Sequence, residues 1–152
     1  MGLDTSCLVP LLADEHTFHE ITRTEWERLK RQDVKFVVAC HALLEAFAVL
    51  TRMPPPFRRA PEEVERLLRE NFGDDADIPP VAEDMVWSAM RDLVAQRVSS
   101  GAIYDAVIAR STLAAGAAVL LTWNPKDFLR VAPAGLEITT PEEYRTWRAR
   151  VH

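Results

Sequence analysis

Two acidic side chains stand where an ordinary structural role does not fully account for them. Asp4 ends the short apolar stretch at the start of the sequence, and Glu45 is the only charged residue between His41 and Thr51. An ionised carboxylate on so apolar a helix must be paired or must face a wet or metal-filled cavity, because uncompensated burial costs several kcal/mol. The alternatives are helix capping for Asp4 and an internal salt bridge to an arginine for Glu45.

Two further acids and an asparagine complete a possible cluster. Asp105 falls in the first turn of a predicted helix, where the helix dipole alone would stabilise its charge. Ala109 and Thr112 are small and lie on the same helical face, which allows that face to approach another element and to present Asp105 there. Asn124 and Asp127 follow the most apolar predicted strand, although an Asn-Pro pair also suits an ordinary turn.

Together these side chains offer the oxygen atoms that Mg²⁺ or Mn²⁺ prefers as ligands. A cluster of like charges without a cation would repel itself and raise its own pKa values, so a bound divalent ion is the simplest resolution. The predicted metal ligands are Asp4, Glu45, Asp105, Asn124 and Asp127. The four acids among them are the predicted catalytic residues.

The elements that must position these residues alternate along the chain. Apolar runs predict strands ending near residue 4 and at 35–40, 118–122 and 136–139, with an edge strand at 77–81 because of its two prolines. Helical patterns follow Ser6, the predicted cap of the first helix, and occupy 14–32, 41–52, 61–72, 82–97, 102–116 and 141 onward. The alternation predicts one α/β domain over 1–152, a three-layer α/β/α sandwich around a mainly parallel sheet. Its ligand site should lie beyond the carboxyl ends of the strands.

Composition bounds the function classes. A chain of 152 residues with 48% hydrophobic and 27% charged residues is typical of a globular protein and excludes disorder and low complexity. Its net charge of -5 argues against a basic surface for non-specific nucleic-acid binding, unless the acids are concentrated where cations sit. Neither a leader nor a membrane span is evident, so we expect a cytoplasmic protein.

The cysteines and histidines do not indicate a zinc site. Cys7 and Cys40 match neither a disulfide framework nor a zinc knuckle and are predicted to be buried free thiols. His16 and His19 are interpreted as part of a solvated helix start, since no third ligand of suitable type is near. His41 either faces the cleft or packs at the start of its helix.

Three segments resemble the PIN-domain ribonucleases, and the compact chain resembles the VapC-type toxins of toxin–antitoxin pairs. The segments are LDTSCLVPLL, LLEAFAVLTR and IYDAVIARSTLAAGAAVLLTWNPKDF. The resemblance implies a Mg²⁺- or Mn²⁺-dependent endoribonuclease that cleaves RNA with a metal-activated water, is usually a homodimer, and is inhibited by a VapB-like antitoxin. Asp4, Glu45 and Asp105 match the three most regular acids of the family. Many members have aspartate in place of Asn124, whereas others have asparagine followed three positions later by an acid, here Asp127.

Substrate contacts are predicted less directly. Arg52, Arg58 and Arg59 flank a proline-rich loop after the Glu45 helix, and arginine suits phosphate recognition. Trp123 either stacks on a base or closes the sheet as a buried aromatic. The predicted substrate-binding residues are Thr5, Ser6, Arg52, Arg58, Arg59 and Trp123.

Two other functions compete with this one. A strand ending in aspartate also begins aspartate-dependent phosphatases, but these usually have a second aspartate two positions later, where Ser6 stands. The other alternative is a catalytically weak or inactive protein of the same fold that binds an antitoxin or RNA, and the neutral Asn124 favours it.

Overall fold

Five short parallel strands form one sheet in the computed structural model, which describes the backbone of residues 1–151 and the side chains of residues 1–147. The strands are β1 (Gly2–Leu3), β2 (Phe36–Val37), β3 (Ala76–Asp77), β4 (Val119–Leu121) and β5 (Glu137–Thr139). Their spatial order is β3-β2-β1-β4-β5, and each neighbouring pair is parallel. Helices flank this sheet, so the predicted α/β/α sandwich is confirmed.

Helices fill the connections between the strands. They are α1 (Thr5–Leu12), α2 (His19–Arg31), α3 (Cys40–Arg52), α4 (Pro61–Leu68), α5 (Glu83–Gln96), α6 (Ala102–Ala114), α7 (Pro125–Leu129) and α8 (Pro141–Val151). A single π-helical turn, Arg69–Gly73, extends α4. Proline suits the start of α4, because it lacks the N–H that the first helical turn leaves unpaired, and two glutamates follow it where the helix dipole stabilises negative charge.

The structure corrects four local predictions. Asp4, not Ser6, caps α1, because the Ser6 backbone N–H donates to Asp4 Oδ2 at 3.2 Å. The predicted edge strand at 77–81 is Ala76–Asp77, which ends before the prolines that cannot serve a ladder. The helix predicted from residue 14 begins at His19, after a run of turns. Asn124 precedes the short helix α7 where an ordinary turn was predicted.

Helix α6 packs unusually close to the central strand β1. Ala109 and Thr112 are completely buried on its inner face, and a Cβ added to Gly2 would overlap the Thr112 methyl group. The absent side chain at Gly2 therefore allows this approach. The predicted close approach of this helical face is confirmed, and it holds Asp105 near the carboxyl end of β1.

The strand order reverses between β1 and β4. From β1 the chain proceeds outward through β2 to β3 on one side, and then returns to β4 on the other side of β1. A crevice forms at such a switch point, beyond the carboxyl ends of the two strands. Asp4 directly follows β1, and Thr122 directly follows β4.

Both cysteines are free, as predicted, with Cys7 buried and Cys40 only partly so. Within the described part of the chain, no helix is both long and apolar enough to cross a lipid bilayer.

Candidate active site

A cavity of about 370 Å³ opens at the carboxyl ends of β1 and β4. All five predicted metal ligands line it: Asp4, Glu45, Asp105, Asn124 and Asp127. Thr5, Ser6 and Trp123 from the predicted substrate-binding set line it as well. Segments far apart in the sequence therefore meet at one site, which is the arrangement that the positions of the acids predicted.

Asp4 is the most deeply buried acid of the cavity. Its Oδ2 accepts hydrogen bonds from the Ser6 hydroxyl at 2.7 Å and from the Thr122 hydroxyl at 2.9 Å. Burial raises the pKa of Asp4 above its ordinary value, and these hydrogen bonds partly oppose that effect. Capping of α1, the structural alternative for Asp4, is therefore real and coexists with a place in the cavity.

The same two hydroxyls fix the loop that follows β4. The Ser6 Oγ accepts the Trp123 backbone N–H at 2.8 Å, and the Thr122 Oγ1 accepts the Asn124 backbone N–H at 3.0 Å. Each hydroxyl thus donates to Asp4 while it accepts from the loop. Sequence reasoning missed Thr122, although a threonine at the end of a buried strand was a signal for it.

Glu45 accepts a hydrogen bond from a hydroxyl group and forms no salt bridge with an arginine among the described side chains. The Thr5 Oγ1 donates to Glu45 Oε2 at 2.7 Å, which joins the first turn of α1 to α3. Among the described side chains no arginine pairs with Glu45, so the salt-bridge alternative is wrong. The carboxylate faces the cavity on a helix whose other contacts are largely apolar.

Asp105 carries the clearest electrostatic signature. Its pKa is raised to about 6, first by burial and then by the negative charges of Asp4, Asp127 and Glu45. Asp105 lies in the first turn of α6 and is only half-buried, while Asn124 and Asp127 are exposed at the cavity mouth. The charges of three other carboxyl groups therefore act on Asp105 across a single cavity.

This donor set fits a divalent cation by its chemistry. Carboxylate and amide oxygens are the ligands that Mg²⁺ and Mn²⁺ prefer, and mutual repulsion at Asp105 is what a bound cation would relieve. Within the described residues, no three His, Cys, Asp or Glu side chains already stand in a metal-binding arrangement. Asp4 and Glu45 instead bond the neighbouring hydroxyls.

The three predicted arginines lie apart from the cavity lining. Arg58 donates to the Met53 carbonyl at 3.0 Å, and Arg59 pairs with Glu63 at 2.7 Å. Arg52 is exposed at the end of α3. Their role in binding substrate stays a prediction.

His16 and His19 differ from their predicted environments, whereas His41 has one of the two predicted for it. His19 is buried, with Nδ1 2.7 Å from the Pro10 carbonyl oxygen, so its assignment to a solvated helix start is wrong. His16 lines the cavity, which the sequence did not indicate. His41 packs at the start of α3, where its ring stacks on Tyr104 with centroids 4.5 Å apart.

Trp123 is held from two sides. Its indole N–H donates to Thr22 Oγ1 at 2.9 Å, and its ring stacks on Phe18 with centroids 4.0 Å apart and planes 7° from parallel. Phe18 also lines the cavity, and sequence reasoning did not identify it as a site residue.

Known proteins are similar to this chain in sequence and in architecture. The family model described as PIN domain matches residues 1–133. Ribonuclease VapC27 of Mycobacterium tuberculosis is 33% identical over 110 residues, which cover 72% of this chain and 74% of that protein. Ribonuclease VapC40 of the same species is 35% identical over 119 residues, covering 77% and 81%.

A solved structure also matches. The crystal structure of Mycobacterium tuberculosis VapC20, described as a Sarcin-Ricin loop cleaving toxin, gives a TM-score of 0.62 at 16% identity and covers 83% of this chain and 91% of that chain. At that identity the likeness shows the fold alone. The family match spans every residue that lines the carboxylate cavity. With two relatives above 30% identity and a family match over most of its length, the chain belongs to the PIN-domain family.

Proposed function

We propose that this protein is a VapC-type endoribonuclease that hydrolyses RNA phosphodiester bonds with the help of Mg²⁺ or Mn²⁺. One observation carries the proposal: four carboxyl groups from distant parts of the chain share one cavity, where burial and then the charges of the other three raise the pKa of Asp105 to about 6. The relatives named ribonucleases support the same conclusion. Membership of the PIN family also argues against the phosphatase alternative.

The residues of the cavity have distinct proposed roles. Asp4, Glu45 and Asp105 hold the cation, with Asn124 or Asp127 supplying a further oxygen. When bound, such an ion would supply an activated water as the nucleophile and would stabilise negative charge on the phosphoryl oxygens.

The surrounding hydroxyls are positioning groups. Ser6 and Thr122 hold the Asp4 carboxylate by its Oδ2, and Thr5 holds Glu45 by its Oε2. These hydrogen bonds fix the rotamers of the two carboxylate side chains. The carboxylates are therefore oriented before a cation binds.

The decisive experiment is cleavage of structured RNA by the purified protein, freed of any antitoxin, with and without Mg²⁺. We expect Asp105→Asn to reduce cleavage at least about 100-fold, because a ligand carboxylate becomes a neutral amide. Asp74→Asn is the matched control, since Asp74 is exposed and lies outside the cavity lining. Cleavage that survives Asp105→Asn would refute the proposed site. Cleavage that persists in the presence of a chelator would refute the proposed dependence on a metal ion.

A second candidate function is an inactive PIN protein that binds an antitoxin or RNA. The neutral Asn124, where many family members have an acid, favours it. Calorimetric titration with Mn²⁺ and the cleavage assay together distinguish the two functions. An inactive module would bind RNA or antitoxin without metal-dependent cleavage.

Partners and location follow from the same proposal. The protein acts on RNA in the cytoplasm and is held inactive by a VapB-like antitoxin. It forms a homodimer, and an exposed apolar stripe on α5 supports dimerisation. The stripe consists of Trp87, Met90 and Val94, which recur at helical spacing and are 42–77% exposed.

A further inference from the structure

One side of the carboxylate cavity is aromatic. Phe18, Trp123 and His16 line the same space as the four acids. The Phe18 ring lies parallel to Trp123, and the Thr22 hydroxyl ties the pair together because it accepts from the Trp123 indole and donates to the Phe18 carbonyl. One face of the Trp123 ring is thereby covered and Trp123 is partly buried, while Phe18, which also lines the cavity, is 36% exposed. The more exposed ring of the pair is therefore that of Phe18.

His16 extends this aromatic side. Its ring centroid lies 5.8 Å from that of Phe18, and its Nδ1 accepts the Phe18 backbone N–H at 3.2 Å. Burial lowers the pKa of His16, which favours the neutral ring. With Nδ1 accepting, the proton of the neutral ring sits on Nε2 as an uncharged donor.

The cavity lacks the usual means of holding a polyanion. Among its described lining residues there is no lysine or arginine, and four are acidic. Phosphate contacts to basic side chains, which dominate most nucleic-acid binding, are absent from this lining. An RNA strand that enters must gain affinity from the cation and from contacts to its uncharged parts.

We propose that Phe18, backed by Trp123 and flanked by His16, is a stacking site for the nucleobase next to the scissile phosphate. The inference rests on the proposed ribonuclease function and identifies its substrate as an unpaired nucleotide. Every base has a π face, so stacking on one aromatic ring is tolerant of sequence and requires a base that has left its neighbours. A paired base within a helix cannot use this site.

The test combines two variants with two substrates. Phe18→Leu keeps an apolar side chain but removes the π face, and Phe47→Leu is its matched control. Phe47 is 37% exposed, lies on α3, and is outside the lining of the carboxylate cavity. The substrates are a single-stranded RNA with its cleavage site mapped and the same RNA with an abasic residue beside that site.

We expect Phe18→Leu to raise KM for the intact RNA about fivefold with little change in kcat, which is the lower end of what one base stack contributes. It should have no such effect on the abasic RNA. Phe18→Tyr should restore the wild-type KM, and Phe47→Leu should leave it unchanged. Equal effects of Phe18→Leu on both RNAs, or equal effects of both leucine variants, would overturn the stacking site.

A binding readout separates this inference from the proposed function. RNA with 2-aminopurine beside the mapped site, or moved through the strand if no cleavage occurs, loses fluorescence when that base stacks. Quenching by the wild type but not by Phe18→Leu supports the site even if cleavage is absent, in which case only the ribonuclease proposal fails. Cleavage without any quenching overturns the stacking site alone.

Discussion

At Asp105, charge repulsion and solvent exclusion act on the same carboxyl group. Its folded-state pKa of about 6 lies above the unfolded value near 3.8, so folding favours the protonated form. The stability that this group contributes is complete below about pH 4 and is lost as the pH rises through 6. A metal-free protein therefore carries a destabilising charge at neutral pH, which a bound cation would offset.

The corresponding prediction compares the wild type with Asp105→Asn in the presence of a chelator. The variant should become more stable relative to the wild type as the pH rises from 4 to 7, by about 1 kcal/mol in total, because the half-exposed group is partly screened by solvent. Urea unfolding at fixed pH values measures the difference. Addition of Mg²⁺ at pH 7 should stabilise the wild type more than the variant. A stability difference independent of pH would contradict the raised pKa of Asp105.

Thr122 is tested by removal of its hydroxyl. Thr122→Val keeps the shape but deprives Asp4 of a donor and the Asn124 N–H of its acceptor, in a completely buried position. We expect a loss of about 1–3 kcal/mol in the free energy of unfolding, the usual cost of unsatisfied buried groups. Thr51→Val is the control because the Thr51 hydroxyl bonds only carbonyls of its own helix; equal effects would argue against the network.

Asp4 and Glu45 were predictable from the sequence because their surroundings made them exceptional. Glu45 stood alone on an apolar helix, and Asp4 ended a strand. The sequence did not predict the roles of Phe18, His16 and Thr122, because those roles depend on which distant residues these side chains contact in the fold. An apolar or hydroxyl side chain has many ordinary positions, whereas a carboxylate in apolar surroundings has few.

Among the elements, the contact of α6 with β1 controls where Asp105 stands. Gly2→Ala would press a methyl group into Thr112, so we expect a loss of about 1–3 kcal/mol in stability from overpacking. Gly101→Ala is the matched control, because its Cβ would meet only Tyr104 at 4.0 Å. Thermal and urea unfolding of the two variants should differ; two equally stable variants would show that α6 shifts without cost.

Element types were predicted better than element ends. Apolar runs located β1, β2, β4 and β5, whereas the run predicted at 77–81 overlaps β3 only at Asp77. Each strand is only two or three residues long. The first turn of α7 holds Asp127, and this helix was missed since five residues beginning at Pro125 carry too little periodicity. The π turn at Arg69–Gly73 has no sequence signature of its own.

For the whole molecule, the α5 stripe provides a test of assembly. Val94→Lys places a charge at the most exposed position of the stripe and should convert the proposed dimer to a monomer in light scattering at micromolar concentration. Gln96→Lys adds the same charge to an exposed position on another face of α5 and should leave the dimer intact. If both variants remain dimeric, the interface lies elsewhere.

The central strand β1 pairs with one strand that is synthesised early and with one that is synthesised late. It pairs with β2 near residue 37 but also with β4 at residues 120 and 121, and Asp4 shares its hydroxyl network with residues 122–124. During synthesis on a ribosome, a growing chain that has not yet released those residues has no assembled pocket. The geometry thus delays assembly of the carboxylate cavity until most of the polypeptide has emerged.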